Sequence, residues 1–161
     1  MSGFTRREFI QAGLGGSALL LAAGCTRGPA GDAEVVRALV PVVLAGALPA
    51  EPRARGEAID ETVQAFQRAV GALAPAIQDE IGELLALLAF APTRVFVAGV
   101  WPRWSEASSA EIGRFLDGWR ASRFELKRSG YRALTQLIQG SWYDNPRAWA
   151  LIGYPGPPEI A

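Results

Sequence analysis

What most constrains the fold is a set of apolar residues recurring at steps of three and four. Ile59, Val63, Phe66, Val70 and Leu73 form one such series, a spacing that lines them along one face of an α-helix. Ile77, Ile81, Leu84, Leu85 and Leu88 form a second, with Pro75 placed for a first helical turn. The short join between them predicts antiparallel packing. Ser108-Ser109-Ala110-Glu111 has the serine cap and acidic first turn of a helix start, and Ile112, Phe115, Leu116 and Trp119 follow as its apolar stripe. Phe124, Tyr131, Leu134, Leu137 and Ile138 mark a last long helix, from near Arg123 to near Gln139, with Gly130 as its weak point and Gly140 as its stop.

The remaining segments are less regular. The stretch from Asp32 to Leu48 is apolar, with Asp32 as N-cap and Pro41 as a kink or break. Ala50 to Gly56 reads as a polar loop, and Pro92 ends the helix begun at Pro75. Thr93 to Ser105 is apolar without a clean period, which predicts a short helix followed by a loop. No internal repeat is visible. The fold class is therefore all-α: an irregular bundle of five or six helices, ending in an aromatic and proline-rich tail.

Residues 1–24 are read as an address rather than a fold. Arg6 and Arg7, followed by Phe9 and an apolar run from Ala12 to Ala23, make a twin-arginine export signal. The run is about a dozen residues, short of the roughly twenty that span a bilayer. Leu21-Ala22-Ala23-Gly24-Cys25 reads as a lipobox, so Cys25 becomes the lipidated first residue of the mature chain; otherwise this is a plain signal that happens to contain a cysteine. The Gly13-Leu14-Gly15-Gly16 run lies inside this leader with no strand before it, and is no dinucleotide loop. Residues 25–161 then form a single helical domain. The twin-arginine translocase carries proteins that are already folded, often around a cofactor. A chain that takes this route with no cofactor ligands of its own points to a partner that has them.

Composition excludes several chemistries. There is no histidine and only one cysteine. That removes the commonest general base and metal ligand, c-type haem attachment, iron–sulfur ligation and any Ser-His-Asp triad. Without Arg6, Arg7 and Glu8 the chain keeps 14 basic and 15 acidic residues, a balance with no footprint for nucleic acid. The adjacent carboxylates Asp60-Glu61 and Asp79-Glu80 fit solvated helix faces. No catalytic or metal-binding residue is assigned.

Aromatic residues crowd the end of the chain. Trp142-Tyr143-Asp144-Asn145-Pro146 is followed by Trp149 and by Ile152-Gly153-Tyr154-Pro155-Gly156-Pro157-Pro158. Asn145 can cap a short helix with Pro146 at its first position, and Gly153 can end it. Such a tail is either an interface, where Trp and Tyr are favoured, or a cap folded back on the core. Trp101 and Trp104, on either side of Pro102, present the same alternative.

The tail resembles the C-terminal motif of the gluconate 2-dehydrogenase subunit 3 family. There an aromatic pair precedes a proline, then come a tryptophan and an Ile-Gly-Tyr-Pro-Gly-Pro stretch; Trp142 stands in place of a second tyrosine. The resemblance implies a non-catalytic small subunit that accompanies a large FAD-dependent dehydrogenase of the glucose–methanol–choline (GMC) type and escorts it through twin-arginine export. It implies no cofactor in this chain, with FAD in the large subunit, and leaves open whether a cytochrome c subunit joins the complex. It implies an extracytoplasmic or periplasmic location, to which the lipobox, and not the family, adds a membrane tether through Cys25. Trp142, Tyr143, Trp149, Gly153, Tyr154 and Pro155 are then the first candidates for partner contact, and Trp101 and Trp104 the second. Two other classes stand beside this reading. One is a free-standing periplasmic lipoprotein holding a small apolar ligand between its helices, and the other is an enzyme using carboxylates with tyrosine, for which no constellation is found.

Overall fold

The computed structural model describes residues 29–156. The expectations for Arg6, Arg7, Phe9, Cys25 and residues 157–161 lie outside them. The described chain is all-α, with no strand. It comprises α1 (Pro29–Val43), α2 (Pro52–Gly71), α3 (Pro75–Ala89), the single turn α4 (Ala91–Thr93), α5 (Ser109–Arg120), α6 (Glu125–Tyr143) and α7 (Pro146–Ile152). A π-helical turn, Arg94–Ala98, continues α4.

The centre of the bundle is α1. Val35, Val36, Leu39 and Val40 are fully buried, and the helix packs against α2, α3, α5 and α6. A helix this apolar on successive turns packs inward on most of its surface and takes the middle, with Arg37 left exposed. This overturns the antiparallel pairing expected of α2 and α3. They make little contact with each other; α3 packs chiefly on α1, and α2 chiefly on α6. Their stripes are nonetheless the buried ones: Val63 and Phe66 on α2, and Ile81, Leu85 and Leu88 on α3. Ile77 departs from its stripe and is exposed.

Four local expectations are corrected. Asp32 is no N-cap: α1 already begins at Pro29, a residue suited to a first helical position, and Asp32 lies within the helix. Pro41 does not break α1 but sits in its last turn. The segment expected as a loop before Gly56 is helical from Pro52, because the Glu51 carboxylate accepts from the backbone N–H groups of Arg53 at 2.9 Å and Ala54 at 2.5 Å. Gly140 does not stop α6, which continues to Tyr143.

The start of α5 follows its sequence. Ser108 and Glu111 form a reciprocal capping box, and Ile112, Phe115, Leu116 and Trp119 are all buried. Gly130 is not a weak point but a point of close approach. A Cβ there would stand 2.6 Å from Trp119 Cζ3.

Three carboxylates at the surface, those of Glu51, Glu111 and Glu125, are held below the ordinary glutamate value of 4.5. Glu51 is held there by the Ala54 and Arg53 amides, Glu111 by the Ser108 hydroxyl and amide, and Glu125 by Arg132 and then Arg128. A lowered pKa adds stability above the unfolded value, and that stability is lost as pH falls through the folded value. With no histidine in the chain, little titrates near neutrality. Thermal melts should therefore give one Tm from about pH 6 to about pH 8, with a decline only below the ordinary carboxylate value. A step in Tm near neutrality would contradict this.

Candidate partner-docking surface

Three of the five tryptophans use their indole N–H to satisfy helix-end carbonyls, groups that have no partner within their own helix. Trp104 Nε1 donates to Leu88 O at 2.8 Å, at the end of α3. Trp119 Nε1 donates to Val97 O at 3.1 Å, in the π turn. Trp149 Nε1 donates to Tyr143 O at 2.7 Å, at the end of α6. Trp104, Phe115 and Trp119 also pack edge to face, with centroids 5.6 and 4.9 Å apart.

These contacts separate the sequence candidates. Trp142, 1% exposed, and Trp104, 2% exposed, belong to the core. Their expected place among the partner contacts is corrected: each lies too deep to meet a partner while the bundle is intact. Tyr143, Tyr154 and Pro155 are exposed, and Trp149 is half-buried. Trp101 is the most open tryptophan, at 78%.

The tail is partly a cap on its own domain. The Asn145 side chain accepts from Arg147 N at 3.0 Å and begins α7, and Gly153 ends it at φ 69°, a conformation costly for side-chain-bearing residues. Ala148 is buried. Asn145 Nδ2 donates to Glu61 Oε2 at 3.0 Å, and Arg147 pairs with Glu61 at 3.4 Å, so α7 is fastened to α2. Asp60 pairs with Arg37 of α1. The Asp60-Glu61 carboxylates thus serve as inter-helix ties. Trp149 meets Tyr154 edge to face at 5.7 Å. What remains open around this knot is Tyr143, Leu151 and Tyr154.

A second apolar surface lies at the π turn. Phe96 is 87% exposed, and Trp101 lies five residues on. The fold holds Trp101 through Arg94, which is buried and donates to Val100 O at 3.3 Å and Trp101 O at 3.4 Å. Gly99, at φ 70°, makes the intervening turn. The Lys127 ammonium donates to Val97 O at 3.2 Å, which brings the start of α6 to this turn with Phe124 and Leu126 exposed beside it. Phe124 thus departs from the buried stripe its spacing predicts, and Phe96 and Leu126, which are not among the contact candidates of the sequence, stand exposed with it. Leu126 does carry a signal, because it falls off the spacing that joins Tyr131, Leu134 and Ile138.

A cleft of about 450 Å³ opens between α1, α2 and α3, lined by Ala33, Val36, Phe66, Val70, Ile81 and Leu85 among others. Of its two lining amides, Gln67 and Gln78, the second donates through Nε2 to the carbonyls of Gly71 and Leu73 at the end of α2. Among the described residues no single helix is long and apolar enough to cross a membrane, and no three carboxylates or thiolates converge on a metal position. The chain matches no model of a known protein family, no curated protein and no solved structure.

Proposed function

We propose that this chain is a non-catalytic accessory subunit that binds a flavin-dependent GMC-type dehydrogenase, supports its folding and twin-arginine export, and tethers it to the membrane through Cys25. The observation that carries this reading is one chain joining the Arg6-Arg7 leader to the Trp149 … Ile152-Gly153-Tyr154-Pro155-Gly156-Pro157 tail. The fold is compatible with it. A small helical domain that keeps Trp101, Phe96, Tyr143 and Tyr154 in the open exposes more aromatic surface than its own core needs. Burying such anchors contributes about 25 cal/mol per Å², before the costs of association.

In this reading the domain folds in the cytoplasm and docks on the flavin-loaded large subunit. Its leader then takes the pair across the membrane. The test is the double substitution Arg6→Lys and Arg7→Lys. Both subunits should be retained in the cytoplasmic fraction, with flavoprotein activity lost from the periplasmic face. Normal export of the large subunit in that strain would remove the escort role.

The cleft between α1, α2 and α3 is the observation favouring the alternative, a free-standing periplasmic lipoprotein with a small apolar ligand, since its volume falls in the range of ligand sites.

A further inference from the structure

We infer that the end of the molecule formed by the π turn and the start of α6 is the principal docking surface for the large subunit, and that the surface it meets is an acidic protein face with apolar depressions. This rests on the accessory-subunit reading and adds where the partner sits and what it presents.

The apolar part comprises Phe96, Trp101, Phe124 and Leu126, all exposed. They belong to two segments joined through Val97 O, which accepts from both Trp119 and Lys127. The charge is one-sided. Residues 94–104 and 119–128 carry six basic side chains and one acidic one, Glu125; of the six, Arg94 is buried and Arg120 pairs with Asp117. Glu125 is already paired with Arg128 and Arg132. Arg103, Arg123 and Lys127 take part in no ion pair among the described residues. Arg123 lies 4.8 Å over the Phe124 ring, leaving its charge at the apolar edge. Large apolar anchors rimmed by uncompensated cations select an acidic rim on the partner, which also raises the association rate.

Two other occupants fit less well. A second copy of the chain, related by a twofold axis, would set the same cations against each other. A bilayer surface would suit aromatic and basic residues, but these come from two short segments and not from one amphipathic helix that could lie in the interface plane.

The test uses full-length, C-terminally tagged protein purified from native membranes, with flavin absorbance measured per chain. Phe96→Ser with Trp101→Ser and Leu126→Ser should lower the flavoprotein recovered by about tenfold or more, with helical circular dichroism unchanged. Arg103→Glu with Arg123→Glu alters only exposed positions. It should also lower recovery and flatten its dependence on salt, and it decides the matter if the first variant folds poorly. Recovery at the wild-type level in both variants would overturn this surface while leaving the accessory-subunit reading intact. A wild-type protein that brings down no flavoprotein would overturn that reading, and this inference with it. Finally, the unlipidated Cys25→Ser chain should ignore phosphatidylglycerol–phosphatidylcholine vesicles. Vesicle binding that disappears in the Phe96/Trp101/Leu126 variant would assign the surface to lipid and overturn the proposal.

Discussion

Trp142→Ala is expected to lower unfolding stability by about 3–5 kcal/mol. The residue is the largest of the fully buried side chains, and it lies near the end of α6, the helix against which α2 packs most closely. Its removal deletes the transfer energy of an indole and leaves a cavity that the surrounding helices cannot collapse to fill. A domain of this size has about 5–15 kcal/mol in total, so the variant should sit near the edge of folding. Urea titration followed by circular dichroism reads this directly. The contrast is Trp149→Ala with Tyr154→Ala, which opens only the half-exposed knot at the tail and should cost much less. If Trp142→Ala proved as mild as that pair, Trp142 would not be a core residue and would return to the surface candidates.

Substitution of Gly130 should show the same tight packing from the opposite direction. On helix propensity alone, Gly→Ala inside α6 would stabilise by about 1 kcal/mol. The new Cβ would instead meet Trp119 at 2.6 and 3.2 Å and Leu84 Cδ1 at 3.5 Å. The Trp119 ring cannot retreat cheaply, because its N–H is bonded to Val97 O and its edge lies against Phe115. Overpacking a fixed core costs about 1–3 kcal/mol, so Gly130→Ala should come out destabilised despite its better propensity. Gly130→Leu should lose about 3 kcal/mol or more. The strain would also displace Trp119 from the carbonyl that Lys127 shares, so Gly130→Leu should disturb the π-turn surface as well as the fold. A stabilised Gly130→Ala protein would mean that α5 and α6 do not approach this closely.

The parts of the fold that could be read from the chain are those where local chemistry and burial agree. The Ser108–Glu111 box, the Ile112 to Trp119 stripe, Pro75 at a first turn and Asn145-Pro146 at another each satisfy a local rule and a tertiary one together. The fold departs from the sequence pattern where tertiary context decides. Gly130 and Gly140 carry the signal of a weak or ending helix. One is instead the place where an indole passes, and the other lies one residue before a serine that bonds back to Leu137 and two before a buried tryptophan. Glu51 is an unusual cap, and only its two amide contacts reveal that it starts α2. The packing order was hidden because nothing in the α2 and α3 stripes says that α1 lies between them.

The candidate surface was legible in the same uneven way. An aromatic residue beside a proline reads alike whether it is an anchor or a core residue. Trp101 and Trp104 share one short motif, yet the indole of Trp104 reaches Leu88 O while that of Trp101 stands in solvent. The difference arises from Arg94, whose guanidinium holds the Val100 and Trp101 carbonyls from inside the domain. A buried arginine bonded only to carbonyls gives no sequence signal.

The central claim is that this chain exists to carry a flavoenzyme. The most direct measurement is to purify the tagged wild-type protein from native membranes and to record an absorbance spectrum and the mass of everything that accompanies it. The account predicts a yellow complex in which a single GMC-type flavoprotein stands in fixed proportion to this chain. A colourless, lone, lipid-bearing helical domain would contradict it.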